Sequence, residues 1–132
     1  MADAVATQIL FDGARVAVMK FTNVSDGTGE SNVVKVDVSA LSSYQGQPCV
    51  QVDIERVYAS THGMGVDVKW DANTDVLAFT IPQNTMQFWD LSEFGGLTNN
   101  SGAGKTGDVL FSTYDSSNGD RYTIILYLRK IY

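Results

Sequence analysis

The chain has 132 residues, which is enough for one domain with a hydrophobic core and too few for two domains of ordinary size. Fifteen acidic and nine basic residues give a net charge of -6 without a basic cluster, which argues against nucleic acid or an anionic membrane as partner. Hydrophobic residues make up 44% and charged residues 18%, so the composition excludes a disordered chain and predicts one folded domain over residues 1–132.

The first residues have neither the basic start nor the apolar stretch of a signal peptide, and no apolar run reaches the roughly 20 residues that span a bilayer. We therefore expect synthesis in a cytosol. The small, apolar segment Ala2 to Gln8 precedes a turn at Asp12-Gly13 and predicts an N-terminal arm, within residues 1–8, that adds to a neighbouring subunit as an edge strand. An edge strand of the chain's own sheet is the alternative. Val5 and Gln8 are candidate interface residues of this arm.

Alternating hydrophobicity predicts β-strands from end to end, and no window has a sustained helical period. Three internal strands have one apolar face each, formed by Val34, Val36 and Val38, by Val50, Val52 and Ile54, and by Val66, Val68 and Trp70. The last strand, Arg121 to Lys130, is apolar on both faces, which predicts a central strand or an oligomer contact. With Gly- and Asp-rich turns between the runs, the pattern predicts an all-β protein: an antiparallel β-sandwich, jelly-roll-like, of about eight strands.

The segment Pro82 to Thr106 departs from the strand pattern and predicts a long loop. Its aromatic residues Phe88, Trp89 and Phe94 have two interpretations. They plug one end of the sandwich, or they anchor a protein interface, where aromatic residues are enriched. Trp89 is the residue that we single out as the anchor.

Cys49 is the only cysteine, so the chain can form neither an internal disulfide nor a thiolate metal cluster. Its place in a strand-like run predicts a small buried hydrophobe. A nucleophilic role would need a histidine partner, and the only histidine, His62, lies on the far side of a predicted strand.

Two further motifs suggest chemistry and do not hold. Gly104-Lys105-Thr106 ends like a phosphate-binding loop, but Asn99 replaces the glycine that this motif requires and a strand follows in place of a helix. The carboxylates Asp53, Glu55, Asp67 and Asp71 alternate with apolar residues, which places them on solvated strand faces without the spacing of a calcium loop. We expect no enzyme, no cofactor and no metal site.

Several collinear segments resemble small virion structural proteins of tailed bacteriophages, including marine and cyanobacterial phages. The most specific are Ser25-Asp26-Gly27-Thr28-Gly29-Glu30 and Gly104-Lys105-Thr106-Gly107-Asp108. The others are Gln8 to Gly13, Lys20 to Val24, Lys35 to Leu41, Trp70 to Ala72 and Gly95 to Ala103.

This resemblance implies a place in the virion, made in the bacterial host cytoplasm. Together with the size, class and charge of the chain, the resemblance favours a capsid decoration, or cement, protein on the capsid surface, which binds the major capsid protein. We expect such a protein to form a homo-oligomer, and a trimer is favoured because it matches local three-fold symmetry. A tail, neck or fibre-associated adaptor is the second possibility. A carbohydrate-binding sandwich is the third, suggested by Trp70, Trp89 and the Asn-rich loop, although the phase of Trp70 predicts that it is buried.

Overall fold

The computed structural model describes residues 3–132, which form nine β-strands and two 3-10 helices. The 3-10 helices are Val38–Ala40 and Ser92–Phe94. The strands are β1 (Ala4–Asp12), β2 (Val16–Asp26), β3 (Val33–Val36), β4 (Gln51–His62), β5 (Gly65–Trp70), β6 (Val76–Ile81), β7 (Met86–Asp90), β8 (Val109–Tyr114) and β9 (Asn118–Ile131). Within the described residues no helix is long and apolar enough to cross a membrane.

The strands form two antiparallel sheets, ordered β1-β2-β9-β4-β7 and β3-β8-β5-β6. Successive strands from β2 to β9 pass between the sheets, except for the β5–β6 hairpin, and this order is that of a jelly roll with β1 added at one edge. The predicted all-β, jelly-roll-like sandwich is therefore confirmed.

The core lies between the sheets and consists of the side chains that point inward at every second position. β9 lies at the centre of the five-stranded sheet between β2 and β4, and its residues Tyr122, Ile124, Leu126 and Leu128 are buried as predicted. The inward set Val66, Val68 and Trp70 is buried too, which confirms the phase of β5.

The predicted phase is wrong for the first apolar run. A bulge between Val34 and Val36 leaves Val34 exposed, buries Lys35 next to Val36, and Val38 lies in a 3-10 helix instead of a strand. Val50 precedes β4 and is likewise exposed, whereas Val52 and Ile54 are buried.

Part of the segment from Pro82 to Thr106, which the sequence predicted to be a long loop, is a β-strand. Met86–Asp90 forms β7, which pairs with β4 and completes the five-stranded sheet. Beyond it, Leu97 N donates to the Ile54 carbonyl (2.8 Å) and Ile54 N donates to the Leu97 carbonyl (3.1 Å). These bonds fasten the irregular segment to β4 beside its bulge.

The predicted N-terminal arm is strand β1 of the chain's own sheet from Ala4 onward, which is the alternative interpretation; Ala2 lies outside the described residues. β1 pairs with β2 across the tight turn at Asp12-Gly13. Lys130 Nζ fastens this turn, since it donates to the Asp12 carboxylate, to the Gly13 carbonyl (2.8 Å) and to the Ser42 carbonyl (2.9 Å).

Candidate functional site

The candidate site is the outer face of the five-stranded sheet, which consists of the side chains that point away from the four-stranded sheet. Register places Tyr58 of β4 beside Phe88 of β7 on one side and Ile125 of β9 on the other. The intervening residues, such as Val57 and Leu126, point into the core. Strand alternation alone therefore brings apolar side chains from three strands together outside the core.

Aromatic rings on the outer face contact one another and a cation. The Tyr58 and Phe88 rings stack, with centroids 4.6 Å apart and planes at 22°. The Arg56 guanidinium lies 4.9 Å from the centroid of the Tyr127 ring, and its Nε is 3.7 Å from Asp90 Oδ1. Hydrogen bonds from Ser92 hold the pKa of Asp90 below its ordinary value, so the carboxylate beside Arg56 stays charged at neutral pH.

A depression of about 390 Å³ lies on this face, lined by side chains that include Tyr58, Ser60, Met86, Phe88 and Ile125. Met86 is 86% exposed and Phe88 is 54% exposed. Large apolar side chains that are exposed together are uncommon on the surface of a monomer.

The outer face is also basic in an acidic protein. Its charged side chains are the basic Lys20, Arg56, Arg121 and Arg129 and the acidic Asp53 and Asp90. Glu55, at the bulge of β4 between Asp53 and Arg56, lies close to Asp53, and the other five basic and twelve acidic residues lie elsewhere on the chain. Burial raises the pKa of Asp53 above its ordinary value. The basic residues of the chain are thus concentrated on this face more than the acidic ones are.

The residues that the sequence singled out lie in different places. Phe88 lies on the outer face, and Gln8 lies at its edge beside Lys20. Trp89 points inward, and its ring meets that of Phe79 edge-on at 5.3 Å, so the plug interpretation describes its surroundings.

The other two candidates lie off the outer face. Phe94 is 65% exposed in the 3-10 helix after β7, and Val5 points to the opposite side of β1 from Gln8. Tyr58, Met86 and Tyr127 were not singled out, although the outward phase of β4, β7 and β9 is the signal that identifies them.

The residues considered for catalysis are not brought together. Cys49 is 3% exposed, which confirms the predicted buried hydrophobe, and burial raises the pKa of its thiol. His62 is at the far end of β4, roughly 40 Å along the extended chain. Asp67 accepts from Thr80 Oγ1 (2.9 Å) on the four-stranded sheet, remote from Asp53 on the other sheet. Within residues 3–132 no cluster of three or more His, Cys, Asp or Glu side chains could hold a metal ion.

The segments Gly104 to Asp108 and Ser25 to Glu30, on which the resemblance rests, both make contacts that hold strands of the fold together. Thr106 Oγ1 donates to Asp71 Oδ2 (2.9 Å) and Thr106 N donates to the Asp71 carbonyl (3.2 Å), so the Gly-Lys-Thr segment is fastened to the β5–β6 turn. Gly107 follows with a φ of +89°, and a Cβ there would lie 1.9 Å from the Val50 carbonyl oxygen. The segment then enters β8, and no helix follows it.

The Ser25 to Glu30 segment ends in a buried polar network. Lys35 Nζ lies 2.5 Å from Glu30 Oε2, and both side chains are 5% exposed or less. Glu30 Oε1 accepts from Tyr122 Oη (2.6 Å) and Asn23 Nδ2 (2.9 Å). Burial and the Glu30 carboxylate raise the pKa of Tyr122 far above its ordinary value, so the phenol remains a donor. This network joins β2, β9 and β3.

No protein-family model matches the chain, and no curated protein matches it. Two solved structures of family 29 carbohydrate-binding modules are similar. One, a single-residue variant, is 9% identical over 96% of this chain and 92% of its own, with a TM-score of 0.42. The other is 8% identical over 96% of this chain and 89% of its own, with a TM-score of 0.41. The likeness is one of β-sandwich architecture.

Proposed function

We propose that the protein is a non-catalytic virion structural protein, a capsid decoration protein that attaches to the major capsid protein of a tailed phage through the outer face of the five-stranded sheet. The observation that carries the proposal is the exposed set Tyr58, Met86 and Phe88 beside Arg56 and Tyr127. The position in the virion rests on the resemblance of the Ser25 to Glu30 and Gly104 to Asp108 segments.

The composition of the outer face supports a protein partner. Tyr, Phe, Met and Arg are enriched at protein interfaces, and a few such residues contribute most of the binding energy. The Tyr58 and Phe88 rings cover each other's faces, and the Arg56 guanidinium covers a face of Tyr127. Each contact covers only one face of a ring, and Phe88 and Tyr58 are 54% and 43% exposed, so both remain accessible to a partner.

Co-sedimentation with the phage particles tests the proposal. Phe88→Ala should abolish attachment and leave the unfolding curve of the free protein nearly unchanged, because the side chain is half exposed. Leu77→Ala is the matched control, because Leu77 is 51% exposed on the other sheet and should bind normally. Trp89→Ala should lower the free energy of unfolding by about 3–5 kcal/mol, as a large-to-small substitution against the core does. Normal attachment of Phe88→Ala would contradict the proposed face.

A tail, neck or fibre-associated adaptor would use the same face, and no residue separates it from a capsid protein. Localisation by electron microscopy and the copy number per particle distinguish the two. Copies spread over the whole shell would indicate a decoration protein, and copies confined to the tail, neck or fibres would indicate an adaptor.

The depression beside Phe88 favours carbohydrate binding as a second candidate function. Its volume of about 390 Å³ falls in the range of small-ligand sites, and Ser60 and Thr123 supply hydroxyl groups next to the aromatic rings. Glycan-array binding that is lost in Phe88→Ala would support this function. No binding across neutral and acidic glycans would remove it.

A further inference from the structure

Strand β1 forms an unprotected edge of the five-stranded sheet. Within the described residues it pairs with β2 alone, so the backbone groups along its other side have no strand partner. Every residue from Ala4 to Phe11 is exposed, including Val5, Ile9, Leu10 and Phe11 at 46–57%. Natural edge strands are usually short or protected by charges, prolines or covering loops. β1 has nine residues, no proline, and one charge, Asp12, at its end.

The inner side of β1 extends beyond the core. Val5, Thr7 and Ile9 lie opposite Asn23, Phe21 and Met19 of β2, whose side chains are buried. The four-stranded sheet has one strand fewer, and β1 makes no substantial contact with any strand other than β2. The apolar side chains of β1 thus lie beyond the region that the opposite sheet covers.

We propose that β1 pairs antiparallel with β1 of a second copy, which joins the two five-stranded sheets into one sheet across a two-fold axis at Thr7. The bulge between Ile9 and Phe11 ends the regular stretch Ala4 to Ile9, and an axis at Thr7 is the register in which the large apolar residues of this stretch face each other. Val5 of each copy then lies opposite Ile9 of the other, and Thr7 lies opposite Thr7, a pairing that stabilises antiparallel sheets.

Charge favours a second copy as the occupant although each chain has a net charge of -6. The paired stretch has no charged residue, and each Asp12 lies beyond its end, bound to Lys130. Two copies can therefore pair at the axis without bringing like charges face to face. A contact that uses the same residues of both copies is two-fold and gives a dimer, whereas the trimer expected from shell symmetry needs a second kind of contact.

Cysteine cross-linking tests the register in a Cys49→Ala background. Oxidised Thr7→Cys should form a disulfide-linked dimer, because residues directly opposite in an antiparallel pair approach within the range of a disulfide. Val5→Cys alone and Ile9→Cys alone should cross-link at least about tenfold less. In each case the same residue of the other copy lies four positions further along the paired strand, roughly 13 Å away. A mixture of the Val5→Cys and Ile9→Cys chains should cross-link. Equal cross-linking of all single variants would overturn the register.

Light scattering at tens of micromolar tests the dimer without cross-links. Thr7→Lys places two ammonium groups opposite each other and should raise the dimer dissociation constant at least tenfold. Leu77→Lys, on an exposed position of the other sheet, should dimerise as the original chain does. The proposal is refuted if the original chain is monomeric at every concentration and the Thr7→Cys variant does not cross-link. The edge of β1 would then be a binding site for a different protein. Attachment to particles is a separate measurement, so failure here leaves the proposed function standing.

Discussion

Replacing Lys35 by methionine should be among the most damaging substitutions in the chain. It removes the cation from Glu30, whose side chain is 5% exposed, and leaves a buried carboxylate that keeps its hydrogen bonds from Tyr122 and Asn23 but has no opposite charge. Breaking a buried ion pair in this way costs about 3–5 kcal/mol. Because a domain is stable by only about 5–15 kcal/mol, Lys35→Met should lose a large share of its stability. Exposed Lys105→Met is the matched control and should change stability by less than about 0.5 kcal/mol.

Urea unfolding followed by the fluorescence of buried Trp70 measures these changes. The double variant Glu30→Gln/Lys35→Met should be more stable than Lys35→Met, because the neutral amide oxygen still accepts from Tyr122 and carries no charge to compensate. The reasoning fails if Lys35→Met unfolds within about 1 kcal/mol of the original chain. It fails equally if the double variant is no more stable than the single one, since the cost would then not come from an uncompensated charge.

Three further predictions concern single positions. Gly107→Ala should lower the free energy of unfolding by at least about 2 kcal/mol, because the residue has a φ of +89° and the added Cβ would overlap a backbone oxygen. Gly102→Ala, where an added Cβ meets no atom within 4 Å, should leave stability unchanged, and chemical unfolding of the two variants measures the difference. Cys49 should react with a thiol reagent only as fast as the protein unfolds, because the thiol is buried and its pKa is raised; rapid labelling of the native state would contradict this. Burial raises the pKa of Asp12, but hydrogen bonds, the largest from Lys130, outweigh it, so the pKa in the folded protein is lower than the unfolded value of about 3.9. The ionised carboxylate therefore stabilises the fold above the unfolded pKa, and this stabilisation is lost as the pH falls through the folded pKa. Asp12→Asn should therefore be less stable at pH 7 and approach the original chain at low pH, as unfolding at several pH values would show.

The fold was predictable because most strands keep a regular alternation. β5 and β9 carry their apolar residues at every second position without interruption, so their inward faces were assigned correctly. The prediction was wrong where a bulge changes the phase, as it does between Val34 and Val36. A bulge depends on the partner strand and on local hydrogen bonds, which one strand's sequence does not contain.

The candidate site was predictable only in part. Phe88 and Trp89 are adjacent, and strand alternation places one outside and the other inside as soon as β7 is known to be a strand. The sequence alone presented the segment as a loop, where no alternation applies, and so gave no reason to prefer Phe88. Tyr58 and Tyr127 join Phe88 and Arg56 only through pairing of β4 with β7 and β9, which spans long separations in the chain.

The long separation of paired strands also governs how the chain can fold. β2 pairs with β9 residue by residue, so that Phe21 lies opposite Ile124, about a hundred positions later. Contacts this remote make folding slow, because a large loop must close before any of them forms. During synthesis the β1–β2 hairpin can form early, yet its apolar residues have to wait until β9 has left the ribosome. A nascent chain therefore exposes the β1 edge and the inner face of β2 together, and this interval is when aggregation competes with folding most strongly.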